Sequence, residues 1–187
     1  MRPDVAMITE TKRPSGPHRN MPAVHRVVRL THQAARHVYA RAYGICNRAL
    51  YQMETMPRPP DVGIRVARLE REIDARFTEL GRDLEGAVQR ARQMLRENGI
   101  AWDEKPRETP AIEAFVSARR SAVYLGLLER FDALVDILEM AQCGDILSKK
   151  ACREETYRWQ RHLTRMAFSL AVAVHKEAGA WPRPGKE

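Results

Sequence analysis

VHRVVRLTHQAARHVYARAYGICNRAL, residues 24–50, contains five arginines, three histidines and no carboxylate. The first residues of this stretch alternate in character, which is typical of a short strand with one buried face. Val28 and Leu30 share one parity and are expected to point into the core, with Val24 or the stem of Arg26 at the edge. A strand here, followed directly by helices, is the feature from which the predicted fold class follows.

A helix is predicted to begin directly after the strand. Thr31 is a favourable N-cap, and the residues HQAARHVYARAY that follow it are mostly good helix formers. Gly44 can end this helix, and Asn47 can then cap a second helix that stops before Pro57. The alternative is one continuous helix over residues 32–55 that tolerates Gly44 in its interior.

The positive charge is confined to one part of the chain. The net charge is +8, and residues 11–53 hold eight bases and no acid, whereas residues 54–187 hold 23 bases and 22 acids. Four of the six histidines also lie in the basic segment. A confined basic segment followed by a nearly neutral body indicates a surface for a polyanion, which could be DNA, RNA or an anionic membrane.

The remainder of the chain predicts helices and two flexible ends. Residues 1–23 contain four prolines and show no helical or strand period, which indicates a flexible basic arm. Beyond the prolines near residue 57, apolar residues recur every three or four positions. This spacing predicts three long helices in an antiparallel bundle or hairpin, over 61–98, 111–142 and 148–177. Residues 61–178 would thus form a helical extension, and 179–187 a flexible tail.

Several classes of function lack their sequence signatures. No apolar run is long enough to span a membrane, and the N-terminal residues lack the apolar stretch of a secretion signal, so we expect a soluble, cytoplasmic protein without a membrane partner. No phosphate-binding loop, dinucleotide fingerprint or nucleophile motif occurs. The three cysteines share no metal-ligand spacing and are expected to be free thiols. We therefore expect no enzymatic activity, no cofactor and no metal.

A short basic strand that leads into two helices is the arrangement of a ribbon-helix-helix module, here residues 24–56. In such a module the strands of two chains pair into a ribbon that enters the major groove. Because a single strand cannot form a ribbon within one chain, the sequence predicts a homodimer that binds double-stranded DNA. The predicted fold is therefore mainly α, with a short N-terminal β-strand forming a ribbon-helix-helix dimer ahead of the long helices.

The other parity of the strand is predicted to read bases. Arg29 could donate two hydrogen bonds to a guanine, His25 could bond a base edge or a phosphate, and Val27 could touch a thymine methyl. Further residues are predicted to contact the DNA backbone, through cationic side chains or through amides at the start of a second helix. These are Lys12, Arg13, Arg19, Arg26, Asn47 and Arg48.

Two other functions remain open at this point. An interaction or scaffold protein could dock an acidic partner through the basic segment. All-helical ribonucleases of the HEPN type use an arginine and a histidine a few residues apart, as Arg19 and His25 are, although Pro22 disfavours a helix there; Arg158 and His162 are too close together.

Two aromatic residues and a histidine near the start of the third long helix have alternative interpretations. Tyr157 and Trp159 could stack on bases. Their helical spacing within an apolar series favours positions in the core instead. His162 is expected to be partly buried and hydrogen-bonded.

Two stretches of the chain resemble a known family. Both resemble the AcaB-like family of conjugative plasmids and integrative conjugative elements. The stretches are RVVRLTHQAARHVYARAYGICNRAL and FDALVDILEMAQCGDILSKKACREETYRWQRHLTRMA. Its members are small, basic and helical, and the characterised type is a ribbon-helix-helix activator of transfer genes. The resemblance implies a dimeric transcriptional regulator of a mobile element, with His25, Val27 and Arg29 facing the groove. The long helices exceed a minimal module and could serve dimerisation or contact RNA polymerase or another regulator.

Overall fold

Helices make up most of the described chain, which comprises residues 22–56, 58–102 and 110–179 of a computed structural model. Most of the predicted arm and tail lies outside these residues. The elements follow in the order β1 (Val24–Val28), α1 (Gln33–Val38), a π-helical segment (Tyr39–Tyr43), α2 (Gly44–Thr55), α3 (Pro60–Glu97), β2 (Ile112–Val116), α4 (Arg119–Cys143) and α5 (Lys149–Gly179).

The predicted strand β1 is present, but its partner comes from the same chain. β1 and β2 form a two-stranded antiparallel sheet in which Val24 lies opposite Val116 and Val28 lies opposite Ile112. A long helix was predicted to start at residue 111; the residues IEAFV instead form β2, because β-branched and aromatic side chains suit a pleated surface. The helix α4 begins only at Arg119. A ribbon therefore exists within one chain, and the number of strands no longer requires a dimer.

The helix after β1 is continuous, so the prediction of a break at Gly44 is wrong and the alternative of one helix is confirmed. Gly44 has φ −61° and ψ −35°, which are ordinary right-handed helical angles. A single helical run thus extends from Gln33 to Thr55, with the π-helical segment inside it. The two separate helices of a ribbon-helix-helix module are absent from this part of the described chain.

One hydrophobic core connects the N-terminal elements with the long helices. Its buried members extend from Val28 in β1 to Val174 in α5. α3 packs mainly on α4, whereas the main partner of α5 is α2. The long helices therefore share their core with α1 and α2. No helix in the described ranges is both long enough and apolar enough to cross a membrane.

Candidate nucleic-acid interface

The inner face of β1 is buried at its C-terminal end, whereas Val24 and Arg26, which have the same parity as Val28, are exposed at the edge of the ribbon. Val28 and Leu30 are buried, which confirms the predicted inward parity. Val27 is 61% exposed, and its neighbours of the same parity, His25 and Arg29, are exposed as well. Alternate residues of a strand share a face, so His25 and Val27 lie together on the outer face of the ribbon, and Arg29 is exposed directly after the end of β1.

β2 contributes two further side chains to the outer face of the ribbon. Phe115 lies opposite His25, and Glu113 lies opposite Val27. The rings of His25 and Phe115 meet edge to face, with their centroids 4.6 Å apart, and this contact orients the imidazole. Sequence reasoning missed Glu113 and Phe115 because it placed them in a helix. The run IEAFV between Pro110 and Ser117 was the signal that could have revealed the strand.

Two side chains of the continuous helix fasten the end of β2. The Tyr43 hydroxyl donates a hydrogen bond to the Phe115 carbonyl oxygen at 3.1 Å, and burial raises the pKa of Tyr43, which keeps this donor protonated. Asn47 accepts a hydrogen bond from the Ser117 backbone N–H at 3.0 Å and donates one to the Ser117 hydroxyl at 3.3 Å.

Asn47 is therefore not available to DNA. The residue is 1% exposed and lies inside a helix rather than at a helix start. The expected phosphate site depended on free amides at a helix N-terminus, and such amides are absent here because the helix continues through Gly44.

Four carboxylates on α4 supply the negative charge that the basic segment lacks. They are spaced at three, four and three residues and therefore share one side of the helix. We call this set the acidic row: Glu129, Asp132, Asp136 and Glu139. Their pairing with the basic segment could not be predicted from the sequence, because about 100 residues separate these acids from their partners.

Asp132 of the acidic row closes the junction between β1 and α1. One carboxylate oxygen accepts hydrogen bonds from the Thr31 N–H at 2.8 Å and the Thr31 hydroxyl at 2.7 Å, and the other accepts from the His32 N–H at 2.8 Å. Thr31 was predicted to be the N-cap, but His32 takes that position and its side chain makes no capping bond. A carboxylate from a distant helix thus performs the capping role, which negative charge suits at a helix N-terminus.

The remaining members of the acidic row hold His32 and Arg26. His32 is 5% exposed, with Nε2 3.3 Å from Asp136 Oδ1 and Nδ1 3.3 Å from Glu139 Oε2. The Arg26 guanidinium lies 2.8 Å from Glu129 Oε2 and remains partly exposed. Arg26, predicted as a DNA-backbone contact, therefore already has an anionic partner in its own chain.

The other cations of the basic segment differ in their freedom to bind a ligand. Arg36 is half-buried and donates a hydrogen bond from Nε to the Leu30 carbonyl oxygen at 2.6 Å. Arg29, Arg41 and Arg48 are exposed and form no ion pair within the described part of the chain. The proposed backbone contacts Lys12, Arg13 and Arg19 lie outside the described residues.

The residues considered for a nuclease site and for base stacking do not form one site in the described part of the chain. His25 lies on a strand rather than a helix, and Arg19 lies outside the described residues, so the structure does not bring together a helical arginine and histidine from this pair. Trp159 is buried as expected, whereas Tyr157 is 62% exposed. His162 is exposed, contrary to expectation, and stacks on Trp159. No cluster of three or more potential metal ligands occurs within the described ranges.

The comparisons with known proteins point to one fold. Neither the scan against protein-family models nor the search of curated proteins gives a match. Among solved structures, the chain is similar to AcaB from uropathogenic E. coli, with a TM-score of 0.75 and 20% sequence identity. The similarity covers 84% of this chain and 81% of AcaB. The chain therefore has an AcaB-like fold.

Proposed function

We propose that this protein is a sequence-specific DNA-binding transcriptional regulator of a conjugative mobile element, and that the outer face of its ribbon enters the major groove. The observation that carries the proposal is the two-stranded ribbon, with His25 and Val27 on its exposed face and the exposed Arg29 directly after β1. The major groove, about 12 Å wide, admits such a ribbon. The AcaB-like fold and the basic N-terminal segment support the same class of function.

Each side chain on the outer face has a role that suits base edges. Arg29 can donate two parallel hydrogen bonds to guanine O6 and N7, and Val27 can contact a thymine methyl. His25, oriented by Phe115, can bond a base edge or a phosphate. Glu113 can accept a hydrogen bond from the cytosine amino group, and its negative charge disfavours contact with phosphates. The mixture of these groups favours base reading over binding to any polyanion.

The assembly is proposed as a homodimer, although the ribbon itself is complete in one chain. A twofold assembly would place two ribbons on paired half-sites of the operator. RNA polymerase or another regulator is the proposed partner of the long helices, and the cytoplasm is the proposed location. The oligomeric state follows from the mass of the free protein and of its DNA complex in solution.

The proposed base contact of Arg29 is tested by substitution to alanine. We expect Arg29→Ala to weaken binding to the preferred sequence by about 1–3 kcal/mol and to relax selection at one base position. Selection from a random DNA library gives the preferred sequence, and titration with that duplex gives the affinity. Arg71→Ala is a matched control, since Arg71 is an exposed arginine on α3. An unchanged sequence preference would remove Arg29 from the interface.

Docking of an acidic protein partner is the alternative function, and one observation weakens it. The acidic row already pairs with Arg26 and His32 of the basic segment inside the same chain. A partner that replaced these contacts would have to compete with carboxylates held in place by α4. Equal and weak binding of the wild type to all DNA sequences would favour this alternative.

A further inference from the structure

The exposed side of α5 differs from an ordinary solvated helix face. Residues 156–176 contain no carboxylate, although they include three arginines, two histidines and a lysine. Side chains of one exposed side recur at steps of three and four residues. We call this set the α5 stripe: Tyr157, Arg161, Arg165, Phe168, Val172 and His175.

Large apolar side chains lie among the cations of the α5 stripe. Val172 is 68% exposed, and Tyr157 and Phe168 are also exposed. These residues do not serve the core, because the opposite side of α5 already supplies Leu163 and Leu170 to it. An exposed series that contains both cationic and large apolar residues indicates a surface that meets a partner.

The outer side of α3 provides the contrast within the same molecule. There, cations and acids alternate and pair locally, as in the ion pair of Arg68 with Glu72 at 3.0 Å. On α5, acids occur only near the two ends of the helix. Glu154 lies near Tyr157 and pairs with Lys150 at 3.9 Å, and Glu177 pairs with Arg65 of α3 at 3.6 Å. Between Arg161 and His175, α5 contains no acid.

Cations from the N-terminal helical run extend this surface. α5 packs on α2, and a shallow groove of about 410 Å³ lies between them. Arg41, Arg48 and His175 line the groove together with Gln52, and no carboxylate among the described residues lines it. The two acid-free segments of the chain therefore meet along this groove, where Arg41 and Arg48 lie beside His175 of the α5 stripe.

We infer that the α5 stripe, together with Arg41 and Arg48, binds the phosphate backbone of duplex DNA. The inference rests on the proposed function for the identity of the polyanion. Guanidinium groups bind phosphate oxygens in a bidentate geometry, and Tyr157, Phe168 and Val172 can pack on the sugars. From residue 157 to 175 the helix extends roughly 27 Å, which is enough to contact several successive phosphates. These contacts add affinity without sequence preference.

The test compares two full-length triple variants with the wild type. Arg48→Gln/Arg161→Gln/Arg165→Gln removes three charges from the proposed surface, and Arg71→Gln/Arg76→Gln/Arg90→Gln removes three from the exposed side of α3. Affinity for the preferred duplex and for a scrambled duplex is measured at several salt concentrations. Far-UV circular dichroism verifies that both variants keep the wild-type helix content.

We expect the first variant to lose affinity by the same factor for both duplexes. The slope of log affinity against log salt concentration should be smaller in magnitude by roughly 2–3 than that of the wild type. Between about 50 and 200 mM salt, the affinity of the wild type should fall roughly 40-fold further than that of this variant. The α3 variant should keep the wild-type slope. An unchanged slope in the first variant, or an equal loss in both variants, overturns the inference.

The outcomes also separate this inference from the proposed function. A wild type that binds all duplexes equally, with a slope that depends on Arg161 and Arg165, supports the α5 surface and refutes base reading by the ribbon. Sequence preference that depends on Arg29, with a slope independent of α5, refutes the α5 surface alone. In that case the stripe serves another occupant, such as an acidic protein or a second copy of this chain.

Discussion

One carboxylate, that of Asp132, satisfies three donors at the point where β1 passes into α1. Two of the three are backbone N–H groups at a helix N-terminus, which have no partner within the helix. The carboxylate is itself buried, so both the acceptor and its donors lose water when the chain folds. Hydrogen bonds to a charged acceptor are stronger than neutral ones, and a buried donor left without its partner is costly.

Substitution of Asp132 should therefore be among the more damaging single changes. We expect Asp132→Ala to lower the free energy of unfolding by about 2–4 kcal/mol, because three donors lose their acceptor. Asp132→Asn should cost less, since the amide keeps one acceptor oxygen. Urea denaturation followed by circular dichroism measures both values.

Glu129→Ala is the control for Asp132, because it removes a more exposed carboxylate of the same acidic row. Its pair with Arg26 is partly solvated and should contribute less than about 1 kcal/mol. Equal costs for Asp132→Ala and Glu129→Ala would contradict the capping role.

The sequence predicted part of this residue-level arrangement. Alternation along β1 correctly assigned Val28 and Leu30 to the core, because strand parity is a local property. It also suggested that a cap was needed near Thr31. The capping group could not be predicted, since Asp132 comes from a distant part of the chain and any of several carboxylates on α4 could have filled the role.

At the scale of elements, Gly44 shows how a helix can continue through a residue that often ends one. Its angles are helical, and a Cβ added at this position would meet nothing within 4 Å. The backbone at this position does not require the conformational freedom of glycine. Glycine here destabilises the helix relative to alanine, because it loses more backbone entropy on folding.

We expect Gly44→Ala to raise the free energy of unfolding by about 0.5–1 kcal/mol. Thermal denaturation should show a higher midpoint with unchanged helix content. Gly99→Ala is the matched control, since Gly99 has φ +72°, a conformation that alanine adopts only with strain, and it should lower the midpoint. A lower midpoint for Gly44→Ala would mean that the helix is interrupted at this residue.

The long helices and β2 show where prediction of elements succeeds and where it fails. α3 was predicted almost to its ends because its apolar residues keep helical spacing over many turns and Pro60 starts the helix. β2 was assigned to a helix because Ile112, Phe115 and Val116 also fit helical spacing. Five residues are too few for their period to be distinguished, and β2 forms because β1 is available to pair with it.

At the scale of the whole molecule, the shared core implies cooperative unfolding. Residues of α1 and α2 pack with residues of α4 and α5 in one hydrophobic cluster, so the N-terminal elements are not expected to unfold alone. Cys46 reports on these N-terminal elements, because the residue is buried in α2. Circular dichroism reports mainly on the three long helices.

We expect labelling of Cys46 to follow the same urea transition as the loss of helix signal. Burial raises the pKa of the Cys46 thiol to about 12, so the folded protein holds almost no reactive thiolate at pH 8. Because the folded pKa is the higher one, alkaline pH above the ordinary thiol value favours unfolding. Mass spectrometry after a short pulse of iodoacetamide gives the labelled fraction.

Cys143, which is exposed, serves as the internal control and should react in the native state. Labelling of Cys46 at urea concentrations below the circular dichroism transition would show that the N-terminal elements unfold separately from the long helices. Coincident transitions would show that the chain folds as one unit.

The pairing of β1 with β2 also bears on how the chain is made. β1 leaves the ribosome long before β2, and at about 5–20 residues per second its partner follows on the order of 5–20 s later. During this interval the edges of β1 are open to the same strand on neighbouring nascent chains of one messenger. Arg26 and Arg29 place like charges on each copy of this segment, and their repulsion disfavours pairing between chains. We therefore expect the charge of this short segment to disfavour aggregation of the unfinished polypeptide before β2 is synthesised.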